Sequence, residues 1–156
     1  MQTHFILLCL CFSMISCAPK IQLSNTAPAA ADGGVLIQPK AEANIKAKWI
    51  LVSIEDFITE KELEESGITK PFLVIEDKIS GYTGCNNMMG GSAELIKNSI
   101  KFSAMATTKK MCMGKANEIE GRFLAILQKA TRFELNSSTL VLFEEEKKLA
   151  TFKAAN

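Results

Sequence analysis

The chain has 156 residues, enough for one ordinary domain and not for two. Hydrophobic residues make up 47% and charged residues 22%, proportions that exclude a wholly disordered or collagen-like chain. With 18 Lys and Arg against 17 Asp and Glu, there is no electrostatic argument for nucleic acid as a partner.

Met1-Gln2-Thr3-His4 opens the chain, and an apolar run over residues 5–15 follows. Such a run is too short to span a bilayer and has the length of the hydrophobic segment of a secretory signal. It ends in Met14-Ile15-Ser16-Cys17, which resembles the lipobox of bacterial lipoproteins. The resemblance implies cleavage before Cys17 and lipid on that cysteine, so residues 1–16 are expected to be a lipoprotein signal peptide. The absence of Lys and Arg from the leader departs from that pattern, and an ordinary secretory signal with an incidental thiol at Cys17 is the alternative. His4, the single histidine, would leave with the leader. The mature chain then has no histidine base for a Ser or Cys nucleophile and no histidine ligand for zinc.

Residues 17–46 hold three of the four prolines together with many alanines and the pair Gly33-Gly34. This composition cannot bury a core and is expected to be a flexible tether from lipidated Cys17, reaching roughly 30 Å in root-mean-square terms. A single domain is expected over residues 47–156.

Within it, Trp49-Ile50-Leu51-Val52-Ser53-Ile54 has the apolar content of a strand. Thr59-Glu60-Lys61-Glu62 has the form of a capping box, and Gly67 stands where a glycine ends a short helix. Phe72-Leu73-Val74-Ile75 and Lys78-Ile79-Ser80-Gly81-Tyr82 follow as strands about a turn at Glu76-Asp77. Residues 88–95 are broken by glycine and predict an irregular strand. Ser99-Ile100-Lys101-Phe102 and Arg132-Phe133-Glu134-Leu135 alternate cleanly. Asn136-Ser137-Ser138 turns the chain into Thr139-Leu140-Val141-Leu142-Phe143, and Leu149-Ala150-Thr151-Phe152 is the final strand. One long helix is predicted over residues 116–130, its apolar face carrying Ile119, Phe123, Ile126, Leu127 and Ala130. About eight short strands and one long helix predict an α+β, mainly β fold: a small antiparallel barrel or curled sheet with the helix plugging or flanking it. The expected core comprises Trp49, Leu51, Phe72, Val74, Ile100, Phe102, Phe123, Leu127, Phe133, Leu135, Leu140, Leu142 and Phe152.

Gly81-Tyr82-Thr83-Gly84-Cys85-Asn86, then Gly90-Gly91, then Thr108-Lys109-Lys110-Met111-Cys112 ahead of the helix, with Trp49 and Leu51 upstream, resembles the META/HslJ-like domain of bacterial envelope lipoproteins. The resemblance spans residues 48–152. It implies a lipocalin-like barrel topology, and a role in envelope integrity or stress without an agreed biochemical activity. Gly90-Gly91-Ser92 departs from the pattern, which has an aromatic residue soon after a glycine.

Besides Cys17, the mature chain would hold only Cys85 and Cys112. In an oxidising compartment these form a disulfide; two facing buried thiols are the alternative. Met88, Met89, Met105, Met111 and Met113 gather near these cysteines, and thioether donors suit Cu(I). The plainer reading has them filling irregular gaps near a glycine-rich strand. A strand there would place Met111 and Met113 on one face and the thiol of Cys112 on the other, which counts against a three-donor site made locally. Asn86, in a glycine-flanked turn, suits bonds to backbone groups, and with Gly84 it is a candidate binding loop. No catalytic residue, metal ligand or cofactor is assigned, and the chain is expected not to be an enzyme. The expectation is a cell-envelope protein, lipid-anchored at the outer membrane, that binds a small apolar ligand or an envelope component. The alternative is a structural or protein-interaction stress protein with a packed barrel.

Overall fold

The structure is a computed structural model that describes residues 45–155. The expected signal peptide, Cys17 and the tether up to residue 44 lie outside the described residues. The described elements are β1 (Lys48–Ile54), α1 (Glu60–Glu65), β2 (Phe72–Ile75), β3 (Ile79–Tyr82), β4 (Asn87–Gly90), β5 (Ala93–Ile96), β6 (Ser99–Phe102), β7 (Ala106–Thr107), α2 (Lys115–Lys129), β8 (Arg132–Asn136), β9 (Thr139–Glu144) and β10 (Lys147–Ala154).

All strands pair antiparallel in one sheet, in the order β5-β6-β8-β9-β10-β1-β2-β3-β4-β7. The two ends of that order meet. Ile96 lies opposite Ser99, Ala93 opposite Phe102 and Met88 opposite Thr107, so one residue offset runs through both β5–β6 and β4–β7. Between them, Ser103 N–H donates to Ser92 O at 2.9 Å. The segments β4–β5 and β6–β7 are therefore the two arms of a single bent hairpin. Ten segments trace about eight strand paths, the number expected from the sequence, and the sheet curls into a half-barrel.

The bend falls at Gly90-Gly91, where both residues have positive φ, 87° and 67°. A Cβ on Gly91 would stand 2.9 Å from Met105 Cγ and 3.0 Å from Ala104 O, so the corner needs glycine for space as well as for conformation. The curl is thinnest between β6 and β8, which share the single pair Ser99 and Arg132. Bonds from Ile100 N–H to Thr131 O (3.0 Å) and from Phe133 N–H to Asn98 O (2.8 Å) flank it.

The long helix α2 enters β8 from this thin side and turns Ile119, Phe123, Ile126 and Leu127 inward, the stripe its spacing predicts. Phe123 meets Phe152 of β10 edge to face, with ring centroids 6.0 Å apart. Trp49, Leu51, Leu73, Ile75, Leu140 and Leu142 complete a continuous core, and Trp49 Nε1 donates to Ile45 O at 2.8 Å. The short helix α1 begins as predicted: Thr59 Oγ1 accepts from Glu62 N–H, and Glu62 Oε2 accepts from Thr59 N–H at 2.8 Å. Gly67, at φ 67°, follows its cap.

Three expected core residues are only half buried: Phe72, Val74 and Leu135. In β2 the inward residues are Leu73 and Ile75. Four consecutive apolar residues carry no alternation, so their facing was set by pairing: Leu73 lies opposite Trp49, which is buried. Phe72 faces outward between the ammonium of Lys48, 4.1 Å from its ring centre, and Tyr82. Leu135 lies near the end of β8 and packs on the margin of the core.

Candidate functional site

The residues that carry the family resemblance converge where the β3–β4 turn meets α2. After Tyr82 the chain turns through Thr83, Gly84, Cys85 and Asn86, closed by a bond from Thr83 N–H to Asn86 O at 2.8 Å. All four are buried. Gly84 has φ 99°, and a Cβ there would stand 3.2 Å from Ile119 Cγ2 and 3.3 Å from Pro71 Cγ. Glycine at this position lets the turn press against α2.

Cys85 and Cys112 are disulfide-bonded, with Cα atoms 6.0 Å apart. The bond ties the turn to the segment that leads into α2. That segment is not a strand; it is irregular from Thr108 to Gly114. Its backbone is instead held by Asn86: the side-chain carbonyl Oδ1 accepts from Lys110 N–H and from Thr108 Oγ1, both at 2.7 Å. Asn86 Nδ2 donates to Lys110 O at 3.0 Å and to the Glu120 carboxylate at 3.0–3.1 Å. An amide has two N–H donors and two acceptor lone pairs, and in Asn86 all four are engaged within the molecule.

Glu120 closes the network from α2. Its Oε2 accepts from Asn86 N–H at 3.0 Å and from Thr83 Oγ1 at 2.7 Å, besides the Asn86 amide. The carboxylate thus adds charge-assisted bonds to buried donors that also bond within the turn, where Thr83 Oγ1 accepts from Asn86 N–H at 3.0 Å. Sequence reasoning found Cys85, Cys112, Gly84 and Asn86, and the structure brings all four together. Glu120 carries no mark in the sequence, and Thr83 and Thr108 stand there only as members of the motif, without a role. Glu120 sits one step outside the apolar stripe of α2, where a carboxylate has the same sequence signature as a solvated one.

The methionines do not form one site. Met88 is fully buried, Met89 is exposed on the outer face of β4, and Met111 and Met113 are 92% and 88% exposed. With both cysteines oxidised, neither supplies a thiolate to a metal. Among the described residues no group of three or more His, Cys, Asp or Glu side chains is placed to hold a metal ion.

Comparison with known proteins matches residues 43–156 to the model of the META domain family. No curated protein matches the chain. Two structures determined by NMR share the fold. A protein from Burkholderia xenovorans, 20% identical, superposes with a TM-score of 0.59 over 87% of this chain and 99% of its own. A second, 22% identical, gives a TM-score of 0.53 over 70% of this chain and 89% of its own. The matched stretch includes the whole half-barrel and the Gly84-Cys85-Asn86 clasp, and the chain belongs to the META domain family.

Proposed function

We propose that the protein is a lipid-anchored module of the cell envelope, held at the outer membrane through Cys17, that acts without catalysis by contacting an envelope component with its outer surface. The observation that carries this reading is how the interior is used. The fully buried side chains of Trp49, Leu51, Phe123, Leu140 and Phe152 occupy the inner face, where a lipocalin-like barrel would hold a ligand. The polar groups of the clasp are likewise committed to one another, so Gly84 and Asn86 shape the loop and its surroundings. What is left for recognition is the outside. A role in envelope integrity or stress accords with such a module.

A second reading, in which the partner is a small apolar ligand, has one observation in its favour. Beside the thin seam, Ile96, Ile100 and Ala130 line an open depression of about 490 Å³, and Ile96 is 61% exposed there.

Two measurements test the proposal. Wild type should enter the detergent phase on phase separation and Cys17→Ser should not; equal partitioning refutes the anchor. Native mass spectrometry of protein taken from its own envelope should show the lipid and a co-purifying envelope component. A retained apolar small molecule would favour the second reading instead.

A further inference from the structure

Two of the most exposed large apolar side chains among the described residues, Met111 and Met113, stand on either side of a disulfide cysteine. Exposed methionines on a mobile loop would be unremarkable, since such a loop can fold them away. This loop is held at its base. Lys110 is bonded to Asn86 through both its N–H and its C=O, and Cys112 is bonded to Cys85. Between and beyond these points the two thioether side chains project with no core to return to. Immediately before them lie Lys109 and Lys110, both exposed and, among the described residues, without an ion-pair partner.

A rigid tip with adjacent free ammonium groups and flexible apolar side chains has the chemistry of an interfacial membrane contact: the cations meet lipid phosphates while the thioethers enter the headgroup–acyl boundary. A protein groove that accepts methionines would be complementary to the apolar pair alone; the two unpaired lysines favour an anionic surface. We propose that residues 109–113 form a membrane-contact tip that orients the domain against an anionic lipid surface. This contact is separate from the anchor at Cys17 and does not depend on lipidation.

The test uses the mature chain, residues 17–156, carrying Cys17→Ser, so that neither leader nor lipid contributes, with a second substitution Met113→Trp. The native Trp49 is 1% exposed and supplies a constant background. Vesicles of phosphatidylglycerol and phosphatidylethanolamine should shift the emission of the introduced tryptophan to shorter wavelength; phosphatidylcholine vesicles should do so far less, and salt should reverse the shift. In sedimentation with the anionic vesicles, Met111→Ser with Met113→Ser in the Cys17→Ser chain should weaken partitioning by roughly tenfold. Lys109→Gln and Lys110→Gln should each weaken it by about fivefold. These side chains are exposed, so an unchanged melting midpoint certifies the fold of each variant. No shift with anionic vesicles, or partitioning unaffected by the methionine pair, overturns the proposal. A shift produced by solubilised envelope protein and not by lipid overturns it in favour of a protein partner. Because every chain compared lacks the lipid, failure of the Cys17 anchor leaves this outcome readable.

Discussion

Replacing Glu120 with Gln should destabilise the domain nearly as much as replacing it with Ala, although Gln keeps the size and shape of the side chain. The carboxylate accepts from three donors: Thr83 Oγ1 at 2.7 Å, Asn86 N–H at 3.0 Å and Asn86 Nδ2 at 3.0–3.1 Å. Thr83 is fully buried and Asn86 is 4% exposed, so water cannot readily replace what is lost. Gln removes the negative charge and turns an NH₂ toward groups that are themselves donors. It therefore forfeits at least one charge-assisted bond, about 1.5–3 kcal/mol, and sets donor against donor. A cost of about 2–3 kcal/mol for Glu120→Gln and about 3–4 kcal/mol for Glu120→Ala follows. In a domain of this size that is a fall of roughly 10–15 °C in melting midpoint. Urea denaturation of the oxidised protein measures it directly. Combined with Asn86→Ala, the changes should be non-additive, because both dismantle one network. A Glu120→Gln variant within about 0.5 kcal/mol of wild type, the range of ordinary surface substitutions, refutes the clasp.

The Cys85–Cys112 bond closes a separation of 27 residues, so a double Cys→Ser variant should lose about 3.5 kcal/mol, read as a lower urea midpoint. Opposite facing in β2 predicts that Leu73→Ala costs about 2–5 kcal/mol by the same measurement, while Val74→Thr stays within about 1 kcal/mol. Phe123→Ala, at the centre of the helix–sheet contact, should cost about 3–5 kcal/mol. The Glu62 carboxyl is held below its ordinary pKa by the Thr59 backbone N–H and then by the Thr59 hydroxyl. Its stabilising effect on α1 is therefore present above the unfolded-state value and is lost as pH falls through the lowered one. Carbon-13 titration of Glu62 should place its midpoint below that of unhindered glutamates, and an ordinary midpoint would contradict the capping box.

Local signals were the most legible. The capping box at Thr59, the glycine at 67 and the apolar stripe of α2 each involve residues within a turn or two of one another, and the structure places them where their spacing does, α2 starting one residue early. Cys85 and Cys112 could be paired by counting, because so few cysteines were left to choose from. Asn86 was recognisable as a turn residue that bonds backbone, but its partners were not: the Lys110 backbone and the Thr108 and Glu120 side chains lie more than twenty residues away.

Composition and pattern by themselves determined a mainly β fold with one long amphipathic helix, because burial periodicity is written residue by residue along each element. They could not orient Phe72-Leu73-Val74-Ile75, whose four apolar side chains satisfy either face; the neighbour Trp49 chose for them. Nor could they join β4 to β5 and β6 to β7 across the Gly90-Gly91 corner, since a shared pairing offset is a property of two distant strands together. The same holds for Glu120. Only the docking of α2 on the β3–β4 turn brings its carboxylate to the buried donors of Thr83 and Asn86, and that placement is what gives the charge its work.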